Sequence, residues 1–209
     1  YRYEQSGELM GLQRVRTFCL SDAHIICKDE EQAVDEIAHA LELIEHVNKV
    51  FNLEYGKDYS YRLSLGDREN TEKYYKDDAG WEKAEDLLRK LMQKKGVDFK
   101  EAKDEAAFYG PKIDVQMRVG PSEEESVASV QLDFNSASKF DLKFIERSGE
   151  SIRPWIIHRA PLGSHERFVA LLLEYYNGQL PGWLAPVQLY IVPVDESSLA
   201  QSQSIASAL

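Results

Sequence analysis

Cysteine is scarce: Cys19 and Cys27 are the only two among 209 residues. That is too few for a disulfide scaffold and suits a reducing compartment. Long apolar runs are missing as well, and nothing approaches the roughly 18 consecutive apolar residues a bilayer span needs. The opening YRYEQSGEL lacks the basic, apolar and small-residue order of a secretory signal. Positive charge is in deficit, with 25 Lys and Arg against 36 Asp and Glu and a net charge of −11. Such a surface repels a polyanion over its general area, so any nucleic-acid contact requires a local basic patch or a domain outside this chain. Repeats and low-complexity tracts are absent too. What remains is a soluble, cytoplasmic protein without a membrane partner. Its 43% apolar and 29% charged residues are enough for one large domain and part of a second.

Along the chain, Tyr1–Glu4, a small-residue loop and RVRTFCLSDAHIIC predict an antiparallel hairpin. Because the chain starts inside that hairpin, it is expected to be a fragment. Asp29 is a candidate N-cap with Gln32 as its capping-box partner. Val34, Ile37, Leu41, Ile44, Val47 and Phe51 then recur at helical spacing. YSYRLSL (59–65) alternates like a strand. Trp81–Lys95 carries an apolar face and stops at Gly96, a natural C′ residue. Strands are expected at Ile113–Val119 and Val127–Phe134, around the acidic loop PSEEES, and at Ile152–Arg159 before a helix over Glu166–Tyr176. Pro181, Gly182 and Pro186 mark a composition shift. Residues 1–186 are therefore assigned to one domain, and 187–209, opening with the strand-like VQLYIVPV, to the first strand and helix of a truncated one.

Side chains alternate faces in a strand, which would put Arg14, Arg16, Phe18, Leu20, Asp22 and His24 together, unless a kink near Ser21 breaks the pattern. Arg14 and Phe18 would stand roughly 13 Å apart, about the separation of a nucleobase from a terminal phosphate; a solvated polar strand accounts for the same residues. Arg2 could grip a phosphate bidentately and Glu4 accept from an amino group, or the two form an exposed ion pair of little consequence. In HRAPLGSHERF (158–168), Ser164 is a plausible N-cap, and Arg167 adds its charge to the positive end of a helix. That suits an anion, as it also suits ordinary capping. His24 and His158 are a long-range pair, and such spacing alone is weak evidence for a metal. His39 and His46 read as structural, His165 has no assigned role, and both cysteines read as small buried residues.

YRYEQSGELMGLQRVRTF resembles motif 2 of the class II aminoacyl-tRNA synthetases, and LGSHERF resembles motif 3. SDAHIIC, AFYGPKI, SVQLDF, IIHRAPLGSHERF and GWLAPVQ are similar to threonyl-tRNA synthetases, in the same order. The resemblance implies an α+β fold with a mainly antiparallel sheet and flanking helices. It implies that threonine and ATP give threonyl-adenylate, followed by transfer to tRNA(Thr). By correspondence Arg2 binds the α-phosphate, Glu4 reads adenine and Phe18 stacks on it, while Arg14 and Arg167 hold the phosphates and the adenine ring. Mg²⁺ accompanies the ATP. The resemblance implies Zn²⁺ on His24 and His158, which holds the amino and hydroxyl groups of threonine and so rejects valine. Asp22 accepts the threonine hydroxyl, and Tyr109 and Ser164 line the amino-acid pocket. Lys112 and Gln131 fall near the reacting groups.

The sequence also departs from that family. The zinc Cys and motif 1, with much of the homodimer interface, lie outside this chain, and no editing domain is visible. Leu20 and Ser126 stand where many members carry Gln. Two competitors are a non-catalytic paralogue with a binding or regulatory role and an unrelated ATP-dependent ligase. Retention of Arg2, Arg14 and Arg167 disfavours the first, and the His24/His158 pair disfavours the second.

Overall fold

The computed structural model describes residues 1–119 and 123–209. A 3-10 turn at Ser6–Glu8 precedes strand β1 (Ala23–Cys27), helix α1 (Glu30–Val50), β2 (Tyr59–Leu65), α2 (Asp78–Lys95) and β3 (Phe99–Lys103). Then come β4 (Lys112–Arg118), β5 (Glu124–Asp133), the short α3 (Ser136–Lys139), β6 (Phe144–Ile145), β7 (Ser151–Ile152), β8 (Trp155–Ala160) and α4 (His165–Tyr175). A second 3-10 turn at Glu196–Ser198 leads into α5 (Leu199–Ala208).

Six strands form one sheet in the order β1-β8-β5-β4-β2-β3, and β6 and β7 pair separately. Every pair in the large sheet is antiparallel except β2–β3. That parallel pair needs a crossover, which α2 supplies. The fold is thus α+β with a mainly antiparallel sheet. One face is apolar, and Tyr61, Leu63, Ile113, Val115, Val130, Leu132 and Ile157 are all fully buried there. The helices add Ile37, Leu41 and Ile44 from α1, and Trp81, Leu88 and Met92 from α2. Each such side chain stabilises the fold by about 1.5–3 kcal/mol.

Local signals fix the helix ends. Asp29 Oδ1 accepts the Gln32 N–H at 2.8 Å, and Gln32 Oε1 accepts from Lys28 N–H at 2.9 Å, one residue before the cap itself. Gly96 ends α2 in the left-handed region at φ 71°. The buried stripe of α1 is centred on Ala33, Ile37, Ala40, Leu41, Ile44 and Asn48, while His39 and His46 are exposed.

The structure departs from expectation where a strand lacks a partner or an apolar face. No strand forms over residues 1–22. The expected hairpin is reduced to an Arg2 N–H bond to the Arg16 carbonyl at 2.9 Å and a Met10–Arg14 bridge. The residues are largely polar and exposed, so a regular ladder there would bury little. The chain bends at Arg16–Thr17 rather than near Ser21. β5 begins at Glu124, so much of the supposed acidic loop is strand; its Pro121 and Ser122 lie outside the described residues. Pro154, which has no N–H to donate, separates β7 from β8. Cys27 is buried, but Cys19 is exposed, contrary to its reading as a core residue.

The chain divides into two units, Tyr1–Leu171 and Leu172–Leu209. In the second, Asn177 and Gly178 adopt φ 49° and 76°, and the Gly178 N–H bonds to the Leu173 carbonyl at 2.8 Å. The strand expected over 187–194 does not form; Tyr190, Val192 and Val194 are 78%, 77% and 95% exposed, and no described strand in this unit lies beside them to share hydrogen bonds. The compositional boundary near Pro186 lies inside this unit.

Candidate active site

Antiparallel register turns scattered sequence positions into rows. Ser64, Lys112, Gln131, His158 and His24 sit opposite one another on β2, β4, β5, β8 and β1. Strands lie about 4.8 Å apart, so the backbone of this row covers about 14 Å from His24 to Lys112. A second row, two residues along each strand, holds Arg62, Asp114, Ser129 and Ala160. Both rows occupy the face opposite the apolar core, because each site residue alternates with a core residue: Lys112 and Asp114 flank Ile113, and Gln131 lies between Val130 and Leu132.

The wall above the sheet is built from the segment around Phe18 and the turn into α4. Ser164 caps that helix, accepting from the Arg167 N–H at 3.3 Å. The two segments are sewn together. Ser21 N–H bonds to the Gly163 carbonyl at 3.0 Å, and the Ser21 hydroxyl accepts from Leu162 N–H at 3.0 Å. His165 N–H reaches the Cys19 carbonyl at 2.9 Å, and the Glu166 carboxylate takes the Cys19 N–H with both oxygens at 3.1 Å. Gly163 is required here: at φ +60° a Cβ would lie 1.8 Å from the Val127 carbonyl oxygen.

A cavity of about 370 Å³ lies between sheet and wall, within the usual range for small-molecule sites. Arg2, Glu4, Arg14, Phe18 and Arg167 line one part of it, and Asp22, Tyr109, Lys112, Gln131, His158 and Ser164 another. All but one of the residues given a site role by the resemblance therefore share a single cavity. The exception is His24, whose ring meets that of His158 edge-on, with centroids 4.3 Å apart. Arg2, Arg14, Lys112 and Arg167 give the lining a local positive charge against Glu4, Asp22 and Asp114, within a chain of net charge −11. The Arg2 guanidinium lies 5.3 Å from the Phe18 ring centroid. Arg167 donates to the carbonyls of Gln13 at 3.0 Å and Ser126 at 3.2 Å. Arg16, expected on the same face, instead donates to the Glu4 carbonyl at 3.0 Å.

At the imidazole end, Tyr109 stacks on His158 with centroids 4.5 Å apart and donates its hydroxyl to Gln131 Oε1. Burial, then the charges of Asp133 and Asp22, push the Tyr109 pKa up to about 12, so it remains a donor at neutral pH. His158 Nε2 lies 2.9 Å from Asp133 Oδ2. Asp133 is fully buried. Burial raises its pKa, but bonds from His158, Ser136 and the backbone N–H groups of Ser136 and Asn135 outweigh this and lower it. An ionised carboxylate only accepts, so Nε2 carries a proton, and in the neutral imidazole this tautomer leaves the lone pair on Nδ1. This carboxylate–imidazole arrangement is what commonly supports a metal-ligating His. Among the described residues, no group of three or more His, Cys, Asp or Glu side chains converges to hold a metal ion.

Sequence reasoning missed Asp133, Asp114, Arg62 and Ser129. Asp133 and Asp114 each sit two residues from a named site residue on a strand, which places them on the same face. That spacing was the available signal.

Comparison with known proteins gives the family and the fold. The sequence model described as "tRNA synthetase class II core domain (G, H, P, S and T)" matches residues 1–176. A threonine–tRNA ligase of Listeria welshimeri is 48% identical over 210 residues, covering 100% of this chain and 32% of that protein. One from Geobacillus kaustophilus is 49% identical over 194 residues, covering 93% and 29%. The chain thus spans about a third of the length of these curated relatives. Two solved structures share the fold. The first, titled as the RNA binding domain of threonyl-tRNA synthetase from Cryptosporidium parvum, has a TM-score of 0.86 at 34% identity, over 99% of this chain and 50% of that one. The second, a putative threonyl-tRNA synthetase from Aeropyrum pernix, has a TM-score of 0.82 at 34% identity, over 100% and 47%.

Proposed function

The chain belongs to the class II tRNA synthetase core family of the G, H, P, S and T group, and on that premise we propose that it is the ATP-binding part of an enzyme that joins threonine to tRNA(Thr). The observation that carries the reading is the single cavity in which an arginine cluster meets the His158 end of the sheet row. Residues 1–186 would form the catalytic core and 187–209 the start of a further, anticodon-binding-type domain. In the full-length protein, tRNA(Thr) and a second copy of the chain would be the partners.

Activation needs no protein nucleophile, because the threonine carboxylate attacks the α-phosphate of ATP and pyrophosphate leaves. The protein's part is to align the two and to meet the charge that develops in flight. Arg2 would hold the α-phosphate, Glu4 and Phe18 the adenine, and Arg14 and Arg167 the remaining phosphates and the ring, with Mg²⁺ accompanying the nucleotide. Asp22 would accept the threonine hydroxyl, with Tyr109 and Ser164 shaping the pocket and Lys112 and Gln131 beside the reacting groups. His24 and His158 suit Zn²⁺ in donor chemistry, with Asp133 fixing the His158 tautomer and a Cys outside this chain as third protein ligand. When bound, the ion would supply a Lewis-acid anchor for amino and hydroxyl groups together, which valine cannot satisfy.

Threonine-dependent ATP–pyrophosphate exchange by the full-length protein tests the proposal, with serine and valine as comparators. Threonine should support exchange and valine should not. Exchange with none of the three would put the non-catalytic paralogue ahead.

A further inference from the structure

The cavity floor holds a carboxylate to which the chemistry above gives no part. Asp114 is 1% exposed and lies in β4, an interior strand. Its Oδ2 accepts from the Ser64 hydroxyl at 2.6 Å, from Arg62 Nη2 at 3.2 Å and from the Lys112 ammonium. Two of these donors are themselves anchored. Arg62 Nε donates to Ser64 Oγ at 3.2 Å, and its Nη2 reaches Ser126 Oγ at 3.1 Å and Glu105 at 3.6 Å. Asp114 is therefore tied to β2 directly and to β5 through Arg62.

Lys112 differs from the other two donors, because it lines the cavity while Arg62 and Ser64 do not. Arg62 and Ser64 already give the buried carboxylate a cation and a hydroxyl. An ammonium has three N–H groups, and the carboxylate takes one, leaving two for a ligand. A lysine stem is otherwise flexible, and holding its charge in advance removes reorganisation when charge develops in a reaction. Lys112 stands two strands from His158 in the first row, with Gln131 between them. A small amino acid with its amine at the imidazoles would extend its carboxylate along that row.

We propose that Asp114 is a positioning residue that fixes the Lys112 ammonium against the junction of substrate carboxylate and α-phosphate. This rests on the activation reading above. The test is ATP–pyrophosphate exchange by the full-length protein carrying Asp114→Asn, with thermal unfolding measured alongside. We expect kcat to fall about 30-fold, with KM for ATP and threonine changed less than about 3-fold. In a Lys112→Met background the same substitution should cost less than about 2-fold, because it acts through that lysine. A merely structural role would lower kcat equally in both backgrounds, and that result, or an unchanged kcat, overturns the proposal. If Asp114→Asn does not fold, Ser64→Ala removes one anchor and keeps both charges. Its smaller loss, about 3-fold, should likewise vanish in the Lys112→Met background, and equal losses in the two backgrounds overturn the proposal. If the unsubstituted protein shows no threonine-dependent exchange, both readings fall; normal exchange with additive losses removes only this one.

Discussion

Replacing Gly163 by Ala probes the joint on which both halves of the cavity depend. Two costs can be separated. The first is conformational: an L-residue at φ +60° is disfavoured by about 1–2 kcal/mol. The second is steric. The new Cβ would lie 1.8 Å from the Val127 carbonyl oxygen, and because that atom is backbone in a central strand, the turn must move instead. Forcing an extra carbon into packed structure costs about 1–3 kcal/mol. The movement also pulls the Gly163 carbonyl from the Ser21 N–H that it accepts at 3.0 Å. The total is about 2–5 kcal/mol. Gly96→Ala is the control: its φ is +71° and nothing lies within 4 Å of a Cβ there, so only the conformational cost of about 1–2 kcal/mol applies. Urea unfolding followed by circular dichroism measures both. Because the turn joins Ser21 and Asp22 to Ser164 and Arg167, the apparent KM for ATP and for threonine should rise together in the Gly163 variant. Equal destabilisation of the two variants would refute the steric argument.

Three further outcomes follow from the site. His158→Ala in full-length protein should lose its zinc by metal analysis while still binding ATP; stoichiometric zinc in the variant removes His158 from the ligand set. Arg2→Ala should slow exchange about 100-fold with zinc content unchanged, and a near-normal rate would end its assignment to the α-phosphate. Burial, then the charges of Glu36 and Asp29, push the Cys27 thiol up to about 11, so at pH 8 only about one part in a thousand is thiolate. Maleimide at that pH should label exposed Cys19 in the folded protein and reach Cys27 only after unfolding. Rapid labelling of both would contradict the burial of Cys27.

Elements defined by their own residues were legible in the sequence. YSYRLSL forms β2 with the expected bounds, Asp29 caps α1 and Gly96 ends α2, because caps and alternation act within a few residues. Elements defined by a neighbour were not. β3 reads FKEAK, with no apolar alternation, and is a strand because β2 offers it a parallel edge. VQLYIVPV has a strand's composition but no described neighbour, and it stays irregular. Resemblance named most of the site, yet Asp114 and Asp133 escaped it. Their importance comes from partners 50 and 25 residues away, Ser64 and His158, and no local pattern encodes such distances.

The interior strands carry the strongest physical argument that this face exists to hold a ligand. A strand covered on both sides ordinarily reads as an unbroken apolar run. β4 and β5 instead alternate as KIDVQMR and EESVASVQLD, and yet Asp114, Gln116 and Asp133 are 1%, 4% and 0% exposed. Burying such groups costs free energy that an apolar face would not, and each here is hydrogen-bonded, which limits the cost without making it a gain. Stability alone would favour Val or Leu at these positions. Register then decides which groups meet, since sliding β5 by one residue would present Val130 and Leu132 in place of Gln131 and Asp133. The one irregularity between β4 and β5 falls at Val115/Gln116, beyond Lys112 and Asp114, so the row leading to the paired imidazoles runs through unbroken ladder.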